Sequence, residues 1–392
     1  MIASKMLEDM KNSSWIRAMF EEGERLRQIH GADKVYDFSL GNPDYEPPAR
    51  VLEELKRLVA SDRGGLHRYT SNAGDPEVRT TIAARMAAES GLPCQAEHII
   101  MTCGAAGGLN VVLKTILNPG DEVIAFSPYF VEYHFYVSNH GGKTVVVPTN
   151  ADFVPTPEAL EAAITHRTRA IILNSPNNPT GVVYSEEALQ ALAAVLESKE
   201  KEIGSPILVI SDEPYVKLVY GGTKVPNMMK IFKNCVVINS FSKSLALPGE
   251  RIGYIAASPQ IQDVSTMIGG MIFANRTLGF VNAPSIFQHL VASSLDEGPD
   301  TNEYQQRRDL LYNHLISVGF ECVQPQGAFY LFPRSPIADD VEFCQRALKY
   351  NLLMVPGVGF KCPGYVRLAY CVSMRIIENS LPAFSALAAE FF

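Results

Sequence analysis

The chain has 392 residues, of which 47% are hydrophobic and 19% are charged, a composition typical of a soluble globular protein with substantial cores. Its net charge of -8 argues against a nucleic-acid surface, because phosphate binding needs clustered Lys and Arg and the basic runs here are no longer than pairs. Neither a signal peptide nor an apolar run of about eighteen residues is visible, so we expect a cytoplasmic protein without a membrane span.

The predicted elements divide the chain into an arm and two domains. The amphipathic stretch from Trp15 to Ile29 predicts an arm, residues 1–40, that contributes to the small domain or to a dimer. In residues 41–284, short β-rich runs such as DEVIAF, RAIILN and PILVISD alternate with helical patterns, which predicts an α/β domain with a mostly parallel sheet between two layers of helices. Longer helices with the strand-like GAFYLF and YVRLAYCV predict a smaller α+β domain over residues 285–392.

Several polar turns follow predicted strands of the large domain. They read TCGAAGG (102–108), NSPNNPTG (174–181), SDEPY (211–215) and NSFSK (239–243). Each has a plain structural interpretation as a helix entry, a turn or a cap. Because ligands gather at the carboxyl ends of parallel strands, the set together predicts a binding site.

The seven cysteines are scattered and never form a C-x-x-C pair. This spacing predicts reduced, mostly buried thiols, without disulfides or a zinc site. We therefore expect no metal in the site.

Lys243 is the candidate covalent residue of the site. A lysine that forms a Schiff base must be deprotonated part of the time, so its pKa has to fall through burial and nearby positive charge. Arg251, eight residues on, could supply that charge. The alternative is an ordinary solvated lysine.

An aldehyde cofactor with a phosphate would account for the other polar groups. The hydroxyls of Ser240 and Ser242 suit an anionic group, and the backbone N–H groups of Ala105 and Ala106 at a helix start form an anion site.

The aromatic ring of such a cofactor would need three further kinds of contact. Asp212 would keep a pyridine nitrogen protonated, which makes the ring an electron sink. Tyr215 and Asn178 would bind the ring hydroxyl, and Phe130 in SPYF would stack on the ring face.

Together, the motifs SPYF, SPNNPTG, DEPY, SFSK with an arginine eight residues on, and VRLAY resemble the class I/II aminotransferases of pyridoxal phosphate fold type I, specifically the aspartate-aminotransferase-like enzymes. The resemblance extends from SLGNPDYEPP (39–48) to YVRLAY (365–370). It implies pyridoxal 5'-phosphate (PLP) as cofactor, a homodimer with shared active sites, and a ping-pong transfer between an amino acid and a 2-oxo acid. Aspartate with 2-oxoglutarate is the first expected pair, and alanine or an aromatic amino acid is the next.

The resemblance also implies individual roles. Lys243 looks like the Schiff-base lysine that moves the proton between Cα and the cofactor, and Asp212 like the partner of the pyridine nitrogen. Tyr69 is similar to the family tyrosine that crosses a dimer interface to the neighbour's phosphate. The remaining matches are the ring-hydroxyl ligands Tyr215 and Asn178, the phosphate ligands Ser240, Arg251, Ala105 and Ala106, and the α-carboxylate arginine Arg367, assisted by Gly41 and Asn178.

The sequence departs from the family pattern where a dicarboxylate substrate would place its second carboxylate. One bacterial subgroup has a lysine in the phosphate turn, where this chain has Ala106. Another uses an arginine donated by the neighbouring subunit, which Arg276 in NRTLGFVNAPS resembles. We expect Arg276 to bind the distal carboxylate, with Arg17 in the arm as a weaker candidate.

Two other classes of protein are alternatives. The same fold and lysine support carbon–sulfur β-elimination or cyclopropane-ring synthesis, and a lyase would release ammonia and pyruvate without a 2-oxo acceptor. A cofactor-sensing transcription regulator would need a DNA-binding module, for which the residues ahead of SLGNPD are too few, and the negative charge also disfavours it.

Overall fold

The computed structural model describes residues 1–12, 15–61 and 64–392, and within these ranges it describes side chains except at residues 11–21 and 32. Its α-helices are α1 (Ser4–Asn12), α2 (Trp15–His30), α3 (Ala49–Val59), α4 (Pro76–Ser90), α5 (Gly104–Ile116), α6 (Glu132–Asn139), α7 (Pro157–Ala163), α8 (Glu186–Ile203), α9 (Met228–Ile231), α10 (Phe241–Ser244), α11 (Val264–Thr277), α12 (Ser285–Ala292), α13 (Thr301–Ser317), α14 (Asp340–Ala347) and α15 (Met374–Ala388). Its strands are β1 (Tyr36–Asp37), β2 (Ile99–Thr102), β3 (Glu122–Ser127), β4 (Lys143–Pro148), β5 (Thr168–Asn174), β6 (Leu208–Asp212), β7 (Cys235–Ser240), β8 (Gly253–Ala257), β9 (Tyr330–Leu331), β10 (Leu352–Leu353), β11 (Val355–Pro356) and β12 (Val366–Ala369).

A central sheet organises the middle of the described chain, with strand order β2-β8-β7-β6-β5-β3-β4. Strands β7, β6, β5, β3 and β4 run parallel, whereas β8 is antiparallel to both β7 and β2. The prediction of a mostly parallel sheet is confirmed. Because parallel strands end at the same edge, the turns after β5, β6 and β7 lie side by side.

Helices bury both faces of this sheet. On β3, Ile124 and Phe126 belong to the core shared with α4 and α8, whereas Val123 and Ala125 belong to the core shared with α5 and α11. Successive residues of a strand point to opposite faces, so a strand buried on both sides needs apolar residues at nearly every position. This explains the continuous runs VIAF and AIIL in the sequence.

A separate core lies towards the C-terminal end of the chain. The antiparallel sheet β11-β12-β9 packs with α13 and α15, and the cluster includes Leu311, Leu331, Leu368 and Phe384. Phe38, from the segment after β1, is buried in the same cluster. The division into residues 41–284 and 285–392 stays a prediction.

The N-terminal segment contacts this C-terminal region. Strand β1 pairs in parallel with β10, Leu26 packs against Val35 and Leu353, and Arg27 forms an ion pair with Asp37. In the described ranges, no helix combines the length and the apolar character needed to cross a membrane. All seven cysteines are unpaired.

Candidate active site

A cavity of about 310 Å³ lies at the edge of the sheet where β5, β6 and β7 end. The sequence-predicted residues that line it are Gly41, Ala105, Ala106, Phe130, Asn178, Asp212, Tyr215, Ser240, Ser242, Lys243, Arg251 and Arg367. The structure therefore brings together segments from residue 41 to residue 367. Further lining residues, which the sequence did not single out, are Leu40, Leu109, Tyr133, Tyr136, Asn174, Pro214, Pro248 and Tyr330.

Lys243 lies in α10, directly after β7, and is partly buried. Its Nζ donates a hydrogen bond to the Gly41 carbonyl oxygen at 2.6 Å. Burial, together with the positive charges of Arg367 and Arg251, lowers the pKa of Lys243 to about 8 against an opposing effect of Cys371. A larger fraction of this side chain is therefore a neutral amine near neutral pH than for an exposed lysine.

Asp212 ends β6 and is 5% exposed. Its Oδ2 accepts a hydrogen bond from the Tyr133 hydroxyl, whereas its buried Oδ1 has no partner among the described residues. Burial raises the pKa of Asp212 to about 6, and the Tyr133 hydrogen bond opposes that rise. The site thus holds a carboxylate oxygen ready to accept a further hydrogen bond.

Asn174 connects the ends of β5 and β6. Its Nδ2 donates to the Asp212 carbonyl oxygen at 2.9 Å, and its Oδ1 accepts from the Asn178 backbone N–H at 2.7 Å. A buried amide that uses both ends in this way fixes the two neighbouring turns relative to each other.

Tyr215 and Tyr330 place two hydroxyls beside Gly41. Their oxygens are 3.0 Å apart, and both side chains are buried. A Cβ at Gly41 would lie 2.1 Å from the Tyr330 hydroxyl, so only glycine fits there. This close approach keeps the Gly41 carbonyl within reach of Lys243.

Groups that can bind an anion also line the cavity. The backbone amides of Ala105 and Ala106 belong to the first turn of α5, where N–H groups have no partner within the helix. The Ser240 hydroxyl donates to that of Ser242 at 2.8 Å, and both serines are buried. Arg251 adds a guanidinium group to the same lining.

Gly104 allows Arg251 to reach this position. Gly104 has a φ of +69°, and a Cβ there would lie 2.8 Å from Nη2 of Arg251. Arg251 donates from Nη1 to the Pro248 carbonyl oxygen at 2.9 Å. A side chain at residue 104 would therefore displace the guanidinium group from the cavity.

Arg367 in β12 is 3% exposed and is held by polar and aromatic groups. It donates to the Ser39 carbonyl oxygen at 2.7 Å and to Asn178 Oδ1 at 3.2 Å, and its Cζ lies 4.8 Å from the ring centroids of Tyr330 and Phe360. Its Nε is buried and has no partner within the described part of the chain. A carboxylate oxygen could satisfy this donor.

These groups fit PLP. The backbone amides, hydroxyls and guanidinium group of the lining suit the phosphate, and the unpartnered Oδ1 of Asp212 suits the ring nitrogen. The Lys243 amine and the Tyr215 hydroxyl line the same space, which suits the aldehyde and the ring hydroxyl.

Tyr69 and Arg276 lie outside the cavity. Tyr69 is 88% exposed, and Arg276 is exposed with its Cζ 5.2 Å from the Phe273 ring centroid. The segment after Tyr69 is tied to the end of α11, since Asn275 donates to the Asn72 carbonyl oxygen. The side chain of Arg17 lies outside the described residues.

Tyr133, Tyr136, Asn174 and Tyr330 are the polar lining residues that the sequence reasoning missed. Asn174 opens the NSPNNPTG turn and Tyr133 lies three residues after Phe130, so both were close to motifs that the sequence did show. Tyr330 stands in the strand-like GAFYLF, where alternation predicts burial but not a polar contact.

A larger cleft of about 830 Å³ lies elsewhere, along residues that include Arg85, Glu213 and Lys217. It contains none of the predicted site residues. The smaller cavity is the better candidate because buried polar groups without partners converge on it.

Comparisons with known proteins agree with this geometry. Residues 33–383 match the family model of aminotransferase class I and II. The chain is 35% identical over 393 residues to a probable aspartate/prephenate aminotransferase of Thermus aquaticus, covering 97% of this chain and 98% of that protein. It is 32% identical to an aspartate aminotransferase of Geobacillus stearothermophilus, covering 91% and 92% of the two chains.

Solved structures give the same result. An amino transferase from Eubacterium rectale superposes with a TM-score of 0.96 at 40% identity, covering 100% of this chain and 99% of that chain. Aspartate aminotransferase from Thermus thermophilus with maleate superposes with a TM-score of 0.87 at 32% identity, covering 99% and 100%. Enzymes of this type depend on PLP. The chain therefore belongs to the aminotransferase class I and II family and is a PLP-dependent transaminase.

Proposed function

We propose that this transaminase moves an amino group between L-aspartate and 2-oxoglutarate in two half-reactions at one site. The observation that carries transamination of an amino acid is the buried Arg367 in the same cavity as Lys243, because an α-carboxylate would satisfy its unpartnered Nε. The names of the relatives support aspartate as donor, and maleate in the Thermus thermophilus structure is itself a dicarboxylate. Seven unpaired cysteines agree with a cytoplasmic enzyme.

Each group around the cavity would hold a different part of PLP. Lys243 would attach the cofactor covalently, and Asp212 would stabilise positive charge on the ring nitrogen. Tyr215 and Asn178 would bind the ring hydroxyl, and Phe130 would cover one face of the ring. The residues that would hold the phosphate are Ala105, Ala106, Ser240, Ser242 and Arg251.

Lys243 and Arg367 act on the substrate. The guanidinium group of Arg367 binds the α-carboxylate, with Asn178 and Gly41 beside it, and so fixes the position of Cα. Once the substrate's amino group has displaced Lys243, the freed Lys243 amine would take the proton from Cα, which requires its neutral form. When bound, PLP supplies an electron sink for the electron pair left at Cα.

A homodimer would complete the site. Tyr69 and Arg276 are exposed on segments that are hydrogen-bonded to each other, through Asn72 to Val281 and through Asn275 to Asn72. A second copy that covered this surface would receive both side chains near its own cavity. Tyr69 would then contact the partner's phosphate, and Arg276 the distal carboxylate of its substrate.

Asp212→Asn should impair chemistry far more than folding. The substitution nearly keeps the side-chain volume but removes the charge that balances the ring nitrogen, and loss of one member of a buried charged pair costs roughly 2–5 kcal/mol. We expect kcat to fall by about 10²- to 10³-fold. Steady-state kinetics and thermal melting of the same preparation measure the two effects, and an unchanged kcat would contradict the role of Asp212.

Arg276→Ala should lower kcat/KM for aspartate and glutamate by about 10- to 100-fold, the equivalent of one charge-assisted hydrogen bond. Alanine has no distal carboxylate, so its kcat/KM should stay within about twofold. Arg57→Ala, which removes another exposed helical arginine, serves as the control. Equal losses for alanine and aspartate would assign Arg276 to the interface instead of the distal carboxylate.

The lining itself favours a second candidate, an alanine or aromatic aminotransferase. Among the described residues, the cations that line the cavity are Lys243, Arg251 and Arg367, each of which already has a proposed role. Tyr136 and Tyr330 add aromatic surface. On this alternative, no cation binds a distal carboxylate of the substrate.

A half-reaction panel tests the proposal. The purified enzyme is mixed separately with aspartate, glutamate, alanine, tyrosine and a sulfur amino acid, and the cofactor spectrum is followed. Fast change with aspartate and glutamate supports the proposal, whereas preference for alanine or tyrosine contradicts a dicarboxylate pocket. Ammonia and pyruvate from the sulfur amino acid, without a 2-oxo acceptor, would instead indicate a carbon–sulfur lyase.

A further inference from the structure

Tyr133 is a buried tyrosine beside the candidate active site. It lies in α6 and is 1% exposed. Its ring stacks on Tyr129, with centroids 6.2 Å apart and planes at 9°, and meets Phe130 edge-on at 5.6 Å. These contacts fix the ring, so the hydroxyl has one direction, towards Asp212 Oδ2.

The two oxygens of the Asp212 carboxylate therefore have different surroundings. Oδ2 accepts the hydrogen bond from Tyr133, while Oδ1 is buried without a partner among the described residues. Asn174 holds the backbone of Asp212 through its carbonyl oxygen. The Asp212 side chain is thus held by one hydrogen bond at Oδ2, and Oδ1 is left for a ligand.

We propose that Tyr133 is a positioning residue for Asp212, holding Oδ2 so that Oδ1 faces the ring nitrogen of the cofactor. A hydrogen bond to an ionised carboxylate favours the charged form and restricts rotation of the group. A carboxylate buried without it would protonate more readily and would bind a positively charged ring less well. The inference rests on the role proposed above for Asp212.

The surroundings of Asp212 make Tyr133 the relevant donor. The titratable and charged groups around it are Tyr133 and Tyr136 from α6, Glu213 and Tyr215 from the segment after β6, and Lys243 and Arg251 from across the cavity. Of these, Tyr133 makes a direct hydrogen bond to the carboxylate.

The test is Tyr133→Phe, which removes the hydroxyl and keeps the ring. Tyr129→Phe is a matched control, because the Tyr129 hydroxyl is buried in the same stack but has no hydrogen-bond partner in the described structure. Apoenzyme is titrated with PLP, and the dissociation constant is measured by fluorescence. We expect Tyr133→Phe to weaken PLP binding by about tenfold, the equivalent of one hydrogen bond to a charged group, and Tyr129→Phe to change it less than about twofold.

The pH dependence of PLP binding provides a second readout. The affinity for PLP should fall on acidification as Asp212 takes up a proton. In Tyr133→Phe this fall should occur at a pH about one unit higher, because the lost hydrogen bond favoured the ionised form of Asp212. A merely structural role for the tyrosine would weaken binding without this shift. If Tyr133→Phe binds PLP with wild-type affinity and loses affinity at the same acidic pH as the wild type, the inference is overturned.

A double-mutant comparison distinguishes the role of Tyr133 from the role of Asp212. In an Asp212→Asn background the charge is gone, so Tyr133→Phe should weaken PLP binding by less than about threefold. Equal losses in both backgrounds would overturn the proposal, even if Tyr133→Phe lowers stability. If Asp212→Asn alone binds PLP with wild-type affinity, the role of Asp212 is rejected. If Asp212→Asn binds PLP more weakly while Tyr133→Phe binds it as tightly as the wild type, only the role of Tyr133 is rejected.

Discussion

Lys243→Ala is expected to abolish transaminase turnover, with kcat reduced by at least about 10⁴-fold for every amino acid tested. The variant loses the amine proposed both to bind the cofactor covalently and to move the Cα proton. Arg251 and Arg367 cannot replace it, because a guanidinium group is a donor without an acceptor site for a proton. Turnover is measured by coupled assay, and cofactor attachment by mass spectrometry after reduction with borohydride.

A surface lysine provides the control for this experiment. Lys233 is exposed, so Lys233→Ala should keep the wild-type kcat. Thermal melting of both variants shows whether the fold is intact. A Lys243→Ala protein that turned over at the wild-type rate, or that still carried PLP covalently at one site, would contradict the central assignment.

Arg367→Gln should lower kcat/KM by about 10²- to 10⁴-fold, which corresponds to the loss of two charge-assisted hydrogen bonds of roughly 1.5–3 kcal/mol each. Because Arg367 is proposed to bind the α-carboxylate that every amino acid carries, the loss should be similar for aspartate, alanine and tyrosine. This pattern differs from the one expected for Arg276→Ala, which should affect dicarboxylates alone. Steady-state kinetics with the three amino acids measures it.

Arg334→Gln is a suitable control for Arg367. Arg334 lies shortly after β9 of the same small sheet, but its side chain is 63% exposed and forms an ion pair with the exposed Glu321. Such surface pairs contribute little, so its kcat/KM should stay near the wild-type value. If Arg367→Gln lowered kcat/KM for one class of amino acid alone, Arg367 would bind the substrate side chain instead of the α-carboxylate.

The topology explains why so much of the site could be predicted from the sequence. Asn174, Asp212 and Ser240 end three adjacent parallel strands, so each apolar run followed by a polar turn places its polar residues at one edge. The residues of these turns then meet in the cavity although they are far apart along the chain. The motif order thus predicted both the fold class and the place where the ligand groups converge.

Other features depended on tertiary packing that has no sequence pattern. Tyr133 and Asp212 are 79 residues apart, and Tyr215 and Tyr330 are 115 apart. A single tyrosine on an amphipathic helix could equally lie in a core or on the surface. The Tyr133 ring stacks on the nearby Tyr129, whereas its hydrogen bond to Asp212 joins α6 to the end of β6, which is distant along the chain.

The sequence by itself determined the fold class and the set of residues around Lys243, because hydrophobic periodicity and strand-end turns are local features. The tertiary structure decided which oxygen of Asp212 is free and which hydroxyls meet at Tyr215. It also decided that Tyr69 and Arg276 are exposed on the surface of a single chain. These outcomes depend on the directions of individual side chains, which packing between distant segments selects and local sequence does not.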